Sequence, residues 1–176
     1  MDKLRNYEVG FSGLKEGKHN FQFEIGTSFF ELFDTEQEFS NPIIKADILL
    51  DKHSTFLEFW IKIFGTVDLV CDISNETFRN PIENDTKFLV KFGEEYDDSN
   101  EEVITIPQHE HAFNVAQIIY ELVTLSIPMK KLSPNLSQKD LEILEKFSPQ
   151  EIEEKEEQKE EIDPRWEALR QFKNKN

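Results

Sequence analysis

The stretch 56-FLEFWIKIFGTVDLVCDISNETFRNPI-82 decides the fold. Leu57, Phe59, Ile61 and Ile63 occupy alternate positions with Glu58 and Lys62 between them, the two-residue period of a strand with one buried face. After Phe64-Gly65-Thr66 the alternation returns in Val67, Leu69 and Cys71, set against Asp68 and Asp72. The pattern predicts a hairpin turning at Gly65, with Cys71, the single cysteine of the chain, on its apolar face.

On the N-terminal side, Tyr7, Val9 and Phe11 alternate with polar neighbours, and Phe21, Phe23 and Ile25 do so after the linker SGLKEGKHN. This predicts an N-terminal hairpin with a loop longer than a tight turn. Ser28 and Glu31 have capping-box spacing, so Phe29, Phe30, Leu32 and Phe33 read as a short apolar helix plugging one end of the sheet. Strands then follow closely: Ile43 to Leu50, a turn at Asp51-Lys52-His53-Ser54, the central hairpin, Lys87 to Phe92, and Val103 to Ile106. Such short connections favour antiparallel neighbours, since a parallel pair needs a crossover. The acidic insert Gly93 to Glu102 reads as a solvated hairpin loop; its carboxylates lack the ordered spacing of a calcium loop. Phe113 to Ile127 reads as one long helix ended by Pro128, with Val115, Ile118, Ile119, Leu122 and Leu125 on one face. His109 and His111, just ahead of it, read as a polar entry loop with no third metal ligand nearby.

Composition limits the function classes. The chain has 176 residues, 36 acidic against 20 basic, for a net charge of −16. General binding to a phosphate backbone relies on Lys and Arg displacing counterions, so any nucleic-acid contact must be local. One cysteine forms no internal disulfide, and the four histidines supply no zinc-ligand spacing. No window approaches a membrane span, and MDKLRNYEVG lacks the apolar core of a signal peptide, so the expectation is a soluble, cytoplasmic chain. The sequence contains no Gly-rich phosphate loop in a strand-to-helix context, no G-x-S-x-G elbow and no H-E-x-x-H pair. We therefore expect no catalytic residue, cofactor, metal or small-molecule substrate.

Beyond residue 130 the character changes. Ser137 with Asp140 caps a short predicted helix carrying Leu141, Leu144 and Phe147. From Gln150 to Ile162 seven Glu face two Lys, which reads as a solvated helix or tether. The chain then turns apolar and basic in 163-DPRWEALRQFKNKN-176. Asp163 is a good N-cap and Pro164 a good first helical residue, while Trp166, Leu169 and Phe172 recur at near-helical spacing among Arg165 and Arg170. Two readings stay open: a peptide that docks on a partner, and a helix packing back on the body.

The order of several motifs resembles the YceD family, the large ribosomal RNA subunit accumulation proteins. They are G-x-V-x-L-x-C-D at Gly65 to Asp72, Pro81-Ile82, I-x-I-P at Ile104 to Pro107, L-x-I-P-M-K at Leu125 to Lys130, and D-P-R-W at Asp163 to Trp166. The acidic spacer before the last motif is similar to that of members from the Bacteroidetes side of the family. Many members read C-x-R-C-L where this chain has Cys71-Asp72-Ile73-Ser74-Asn75, so the second cysteine is missing and no zinc or redox pair is inherited. Cys71 alone reads as a small buried hydrophobe.

The expected fold is α+β, an antiparallel, twisted or partly closed sheet of six or seven strands with one long apolar helix packed on it and a C-terminal appendage. The expected organisation is a globular domain over 1–130, short helices and an acidic tether over 131–162, and the DPRW element over 163–176. The resemblance implies a non-catalytic bacterial factor supporting large-subunit (23S) rRNA, with a large-subunit ribosomal protein or an rRNA precursor as partner. The alternative is an acidic interaction or holdase module for basic clients unrelated to ribosomes. Asp163, Pro164, Arg165, Trp166, Leu169 and Arg170 are the candidate binding residues. Gly65, Cys71, Asp72, Pro81 and Pro128 are motif residues with an expected structural role.

Overall fold

The computed structural model describes residues 2–100, 102–136 and 142. A 3₁₀ turn at Asp2–Tyr7 leads into β1 (Glu8–Gly10), β2 (Gly17–Ile25), α1 (Thr27–Phe30), β3 (Ser40–Lys52), β4 (Phe56–Val70) and β5 (Thr77–Gly93). Then come β6 (Asp97–Asn100), β7 (Val103–Pro107), β8 (Ala112–Asn114) and α2 (Ala116–Leu125). Six strands form one open sheet in the order β2-β3-β4-β5-β7-β6, and β1 pairs with β8 as a separate two-stranded sheet. No helix among the described residues is long and apolar enough to cross a membrane.

The central stretch is one strand and not a hairpin. β4 runs unbroken through Gly65, pairing with β3 from Lys52↔Leu57 to Ser40↔Asp68 and with β5 from Phe56↔Lys91 to Val70↔Thr77. Pairing on both sides decides this. Leu57, Phe59, Ile61, Ile63, Val67 and Leu69 are all at odd positions and all buried, a parity that an uninterrupted strand and a three-residue turn at 64–66 share, and it is the unbroken ladders to β3 and β5 through Gly65 that distinguish them. Gly65 serves a close approach of main chains. The register of β3 slips between Ser40 and Ile43, and a Cβ at Gly65 would lie against the main-chain oxygen of Ile43 and 2.6 Å from the Cα of Ile44.

Other expectations are corrected as well. The sheet is mixed: β5 and β7 run parallel, Leu89↔Val103 to Gly93↔Pro107. The acidic segment between them makes the short crossover possible, because Asp97–Asn100 forms β6, antiparallel to β7 on its far side. The N-terminal hairpin does not form, since β1 pairs with β8 (Val9↔Phe113) and β2 pairs with β3. That β1 pairing also shortens the helix. Phe113 is spent in β8, and α2 has ten residues rather than spanning 113–127, its first N–H accepted by Asn114 Oδ1 at 2.9 Å. The predicted capping box is absent as well: α1 begins after Gly26 with no side-chain cap.

One face of the large sheet carries the core. Ile44, Ala46, Ile48 and Leu50 of β3 join the odd positions of β4, Ile82, Phe88 and Val90 of β5, and Ala116, Ile119, Leu122 and Val123 of α2. Phe59 stacks on Phe88 with centroids 5.3 Å apart, and Phe113 closes the trio at 5.2 Å from Phe59. Phe29 and Phe30 of α1 are buried in a second aromatic group with Tyr7, Phe33, Phe39 and Tyr120. Asn84, facing inward from β5, donates to the Leu122 carbonyl near the end of α2 at 3.2 Å. The opposite face is open to solvent and laced with cross-strand polar contacts, such as Lys87 to Glu58 at 2.8 Å and Gln22 to Asp47 at 2.6 Å.

Candidate functional site

Two of the motif residues, Cys71 and Asp72, meet the segment after Pro128 where β4 ends. Cys71 begins the turn into β5, and its main chain closes that turn twice: the Cys71 N–H reaches the Glu76 carbonyl at 2.9 Å, and its carbonyl accepts from the Asn75 N–H at 3.0 Å. Asn75 takes the left-handed conformation the turn needs (φ 55°), which asparagine tolerates better than most residues. Asp72 clamps the segment that follows α2. Its N–H donates to the Lys131 carbonyl at 2.8 Å while its carboxylate accepts from the Lys131 N–H at 2.7 Å. The Lys131 ammonium continues outward to Glu38 at 2.6 Å. Pro128 ends α2 and sends the chain back toward this clamp, leaving Met129 wholly exposed and Leu125 77% exposed beside it.

Cys71 is fully buried, yet its sulfur is surrounded by donors. The Ser133 N–H lies 3.4 Å from Sγ. The Ser74 hydroxyl and main-chain N–H contribute most, followed by Ser133 and Ile73, and together they pull the thiol from its ordinary 9.0 down to about 7. The expected burial holds, and the donors around the sulfur lower the thiol from its ordinary value. Just before it, Asp68 accepts from Arg79 at 3.0 Å and Asn41 at 2.9 Å, and these bonds hold its carboxyl below the usual range.

A pH dependence follows. Because the folded thiol titrates below the unfolded one, the stabilisation it supplies is present above the ordinary thiol value and is lost as pH falls through about 7. Cys71→Ala removes this component. The melting-temperature gap between wild type and Cys71→Ala is therefore expected to be widest near pH ~9 and to narrow toward pH ~6. A gap constant over that range in a differential scanning series would show that the sulfur stays protonated.

The structure brings Cys71 and Asp72 together with the segment following Pro128, whereas Gly65 and Pro81 lie further along the same strands. Gly65 faces Ile44 and Ile82, and Pro81 faces Thr66. Asp163, Pro164, Arg165, Trp166, Leu169 and Arg170 lie outside the described residues. Sequence reasoning missed Ser74, Lys131 and Ser133; the only trace was the L-x-I-P-M-K run, which marks the segment without pointing to Cys71. It also passed over Trp60, although the odd-position alternation of β4 puts Trp60 on the open face, where it is 50% exposed and donates to Asp85 at 3.2 Å.

One group among the described residues has metal-ligand proximity. Donor atoms of Asp51, His53 and Glu58 lie within 4.8 Å of one another at the β3–β4 hairpin. These groups have other partners, Glu58 in the Lys87 ion pair and His53 stacked on Phe56.

A mixed six-stranded sheet, a short helix on its inner face and a corner locked by a cysteine and an aspartate define the body's architecture. Against protein families, residues 60–173 match the model described as large ribosomal RNA subunit accumulation protein YceD. The chain belongs to the YceD family, whose description places it with the accumulation of large-subunit rRNA. No curated protein and no solved structure matches the chain.

Proposed function

We propose that this chain is a non-catalytic cytoplasmic factor in biogenesis of the large ribosomal subunit, supporting accumulation of 23S rRNA. The family match over residues 60–173 carries this reading. Charge restricts how it would act. At −16 the protein repels RNA over about one Debye length, roughly 8 Å at physiological salt. Contact through a basic large-subunit ribosomal protein, with RNA touched by a local patch, fits that charge better than broad RNA binding.

In this reading the element 163–176 is the docking peptide. Trp166 and Leu169 would supply apolar contact, Arg165 and Arg170 charge-assisted hydrogen bonds, and Asp163-Pro164 the residue types of a helix start. The acidic run before it keeps the element from binding RNA indiscriminately. Loss of the protein from its host is expected to deplete 23S rRNA while sparing the small-subunit rRNA. Equal loss of both would favour the alternative of a module for basic clients unrelated to ribosomes. Trp166→Ala is expected to weaken partner binding by about 2 kcal/mol without shifting the melting temperature of the body. Unchanged affinity in calorimetric titration of the purified partner would remove this residue from the interface.

A further inference from the structure

The two edges of the large sheet are not alike. β6 is four residues long, exposed throughout and carries Asp97 and Asp98. Pairing β6 with itself about a two-fold axis would bring these carboxylates together, so this edge resists extension. β2 is nine residues long, in unbroken register with β3 from Gly17↔Lys52 to Ile25↔Ile44, and contains neither proline nor bulge. Its other side has no strand beside it among the described residues. A long, regular edge of this kind presents a row of main-chain donors and acceptors ready to pair.

We propose that β2 pairs with β2 of a second copy of the chain, antiparallel and with Phe21 at the two-fold axis, joining two sheets into one. The residues of the edge select this occupant. With Phe21 opposite Phe21, Asn20 faces Gln22, His19 faces Phe23, and Lys18 faces Glu24. By symmetry this makes two Lys–Glu pairs on the open face, where Lys18 and Glu24 are both exposed and have no ion-pair partner among the described residues. Moving the axis to Asn20 sets Glu24 against Glu16, and moving it to Gln22 sets Lys18 against Gly26. Only the Phe21 register matches both charges. It also keeps the half-buried aromatic positions Phe21 and Phe23 on the inner side, as an isologous interface requires.

Sedimentation equilibrium of the full-length chain tests the proposal, with Lys18→Glu, Glu24→Lys and the double swap as variants. Wild type is expected to show a reversible monomer–dimer equilibrium. Each single swap converts both attractive pairs to repulsive ones and is expected to raise Kd by about ten-fold or more. The double swap restores both pairs and is expected to return Kd to within about three-fold of wild type. All three variants alter exposed side chains, so unchanged circular dichroism spectra would show that the fold is kept. A chain that stays monomeric up to its solubility limit overturns the proposal. So does a dimer indifferent to the single swaps, or a double swap as impaired as either single one.

Discussion

Phe59→Ala is expected to lower the stability of the body by about 3–5 kcal/mol, while Trp60→Ala, the next residue along, stays within about 1 kcal/mol. The difference comes from the pleat. Phe59 points into the core with no exposure, stacked on Phe88 at an interplanar angle of 3° and in contact with Phe113. Its removal loses the transfer energy of a whole ring and leaves a cavity that two aromatic neighbours and a three-residue strand are poorly placed to fill. Trp60 points to solvent and gives up one bond to Asp85. Total stabilities run to about 5–15 kcal/mol, so the Phe59 variant should unfold at a much lower urea concentration. Equal urea midpoints for the two variants would mean that the faces of β4 are assigned the wrong way round.

Gly65→Ala is expected to cost about 3 kcal/mol, unusually much for the addition of one methyl group. The added carbon meets main chain and not a side chain that can rotate away: the Ile43 carbonyl, and the Ile44 Cα at 2.6 Å. Relief requires β3 and β4 to separate at a point where Gly65 is paired on both sides, to Ile44 and to Ile82. Gly10→Ala is the matched control, since nothing lies within 4 Å of a Cβ there, and it should stay within about 0.5 kcal/mol. If the two alanine variants share one urea midpoint, the close approach of Ile43 to Gly65 does not exist in solution.

These two sites also show what a sequence of this kind carries openly and what it hides. The alternation through Leu57, Phe59, Ile61 and Ile63 is a record of burial on one face and can be read from neighbours alone. The glycine was visible, but its meaning was not, because a turn and a close approach both call for glycine. The first half of β5, TFRNPIENDTK, has little strand character, and only its pairing along the full length of β4 makes it one. The parallel β5–β7 pair was hidden for a related reason: the acidic run Asp97–Asn100 looks like a loop until β7 lies beside it. α2 lost its first residues to β8, and Leu125, apolar and at the right spacing, ended in solvent because the buried stripe runs through Ala116, Ile119, Leu122 and Val123 instead. At the corner, the burial of Cys71 was legible from alternation. Its donor Ser133 sits 62 positions away, and no local pattern reports a contact of that kind.

The β1–β8 pair sets a schedule for the growing polypeptide. The neighbours from β2 to β5 are sequential, so each strand can add to the last as it is made. Glu8 to Gly10 finds its strand partner only in Ala112 to Asn114, although earlier-made segments already offer contacts beside it, Phe23 and Phe29 against Tyr7 and the Lys52 ammonium on the Phe11 carbonyl. Closing so long a loop is slow compared with making a hairpin. During synthesis the N-terminal segment, first to be made, thus lacks its strand partner until the residues before α2 have left the ribosome, and its main chain is expected to stay open to a chaperone or a protease until then.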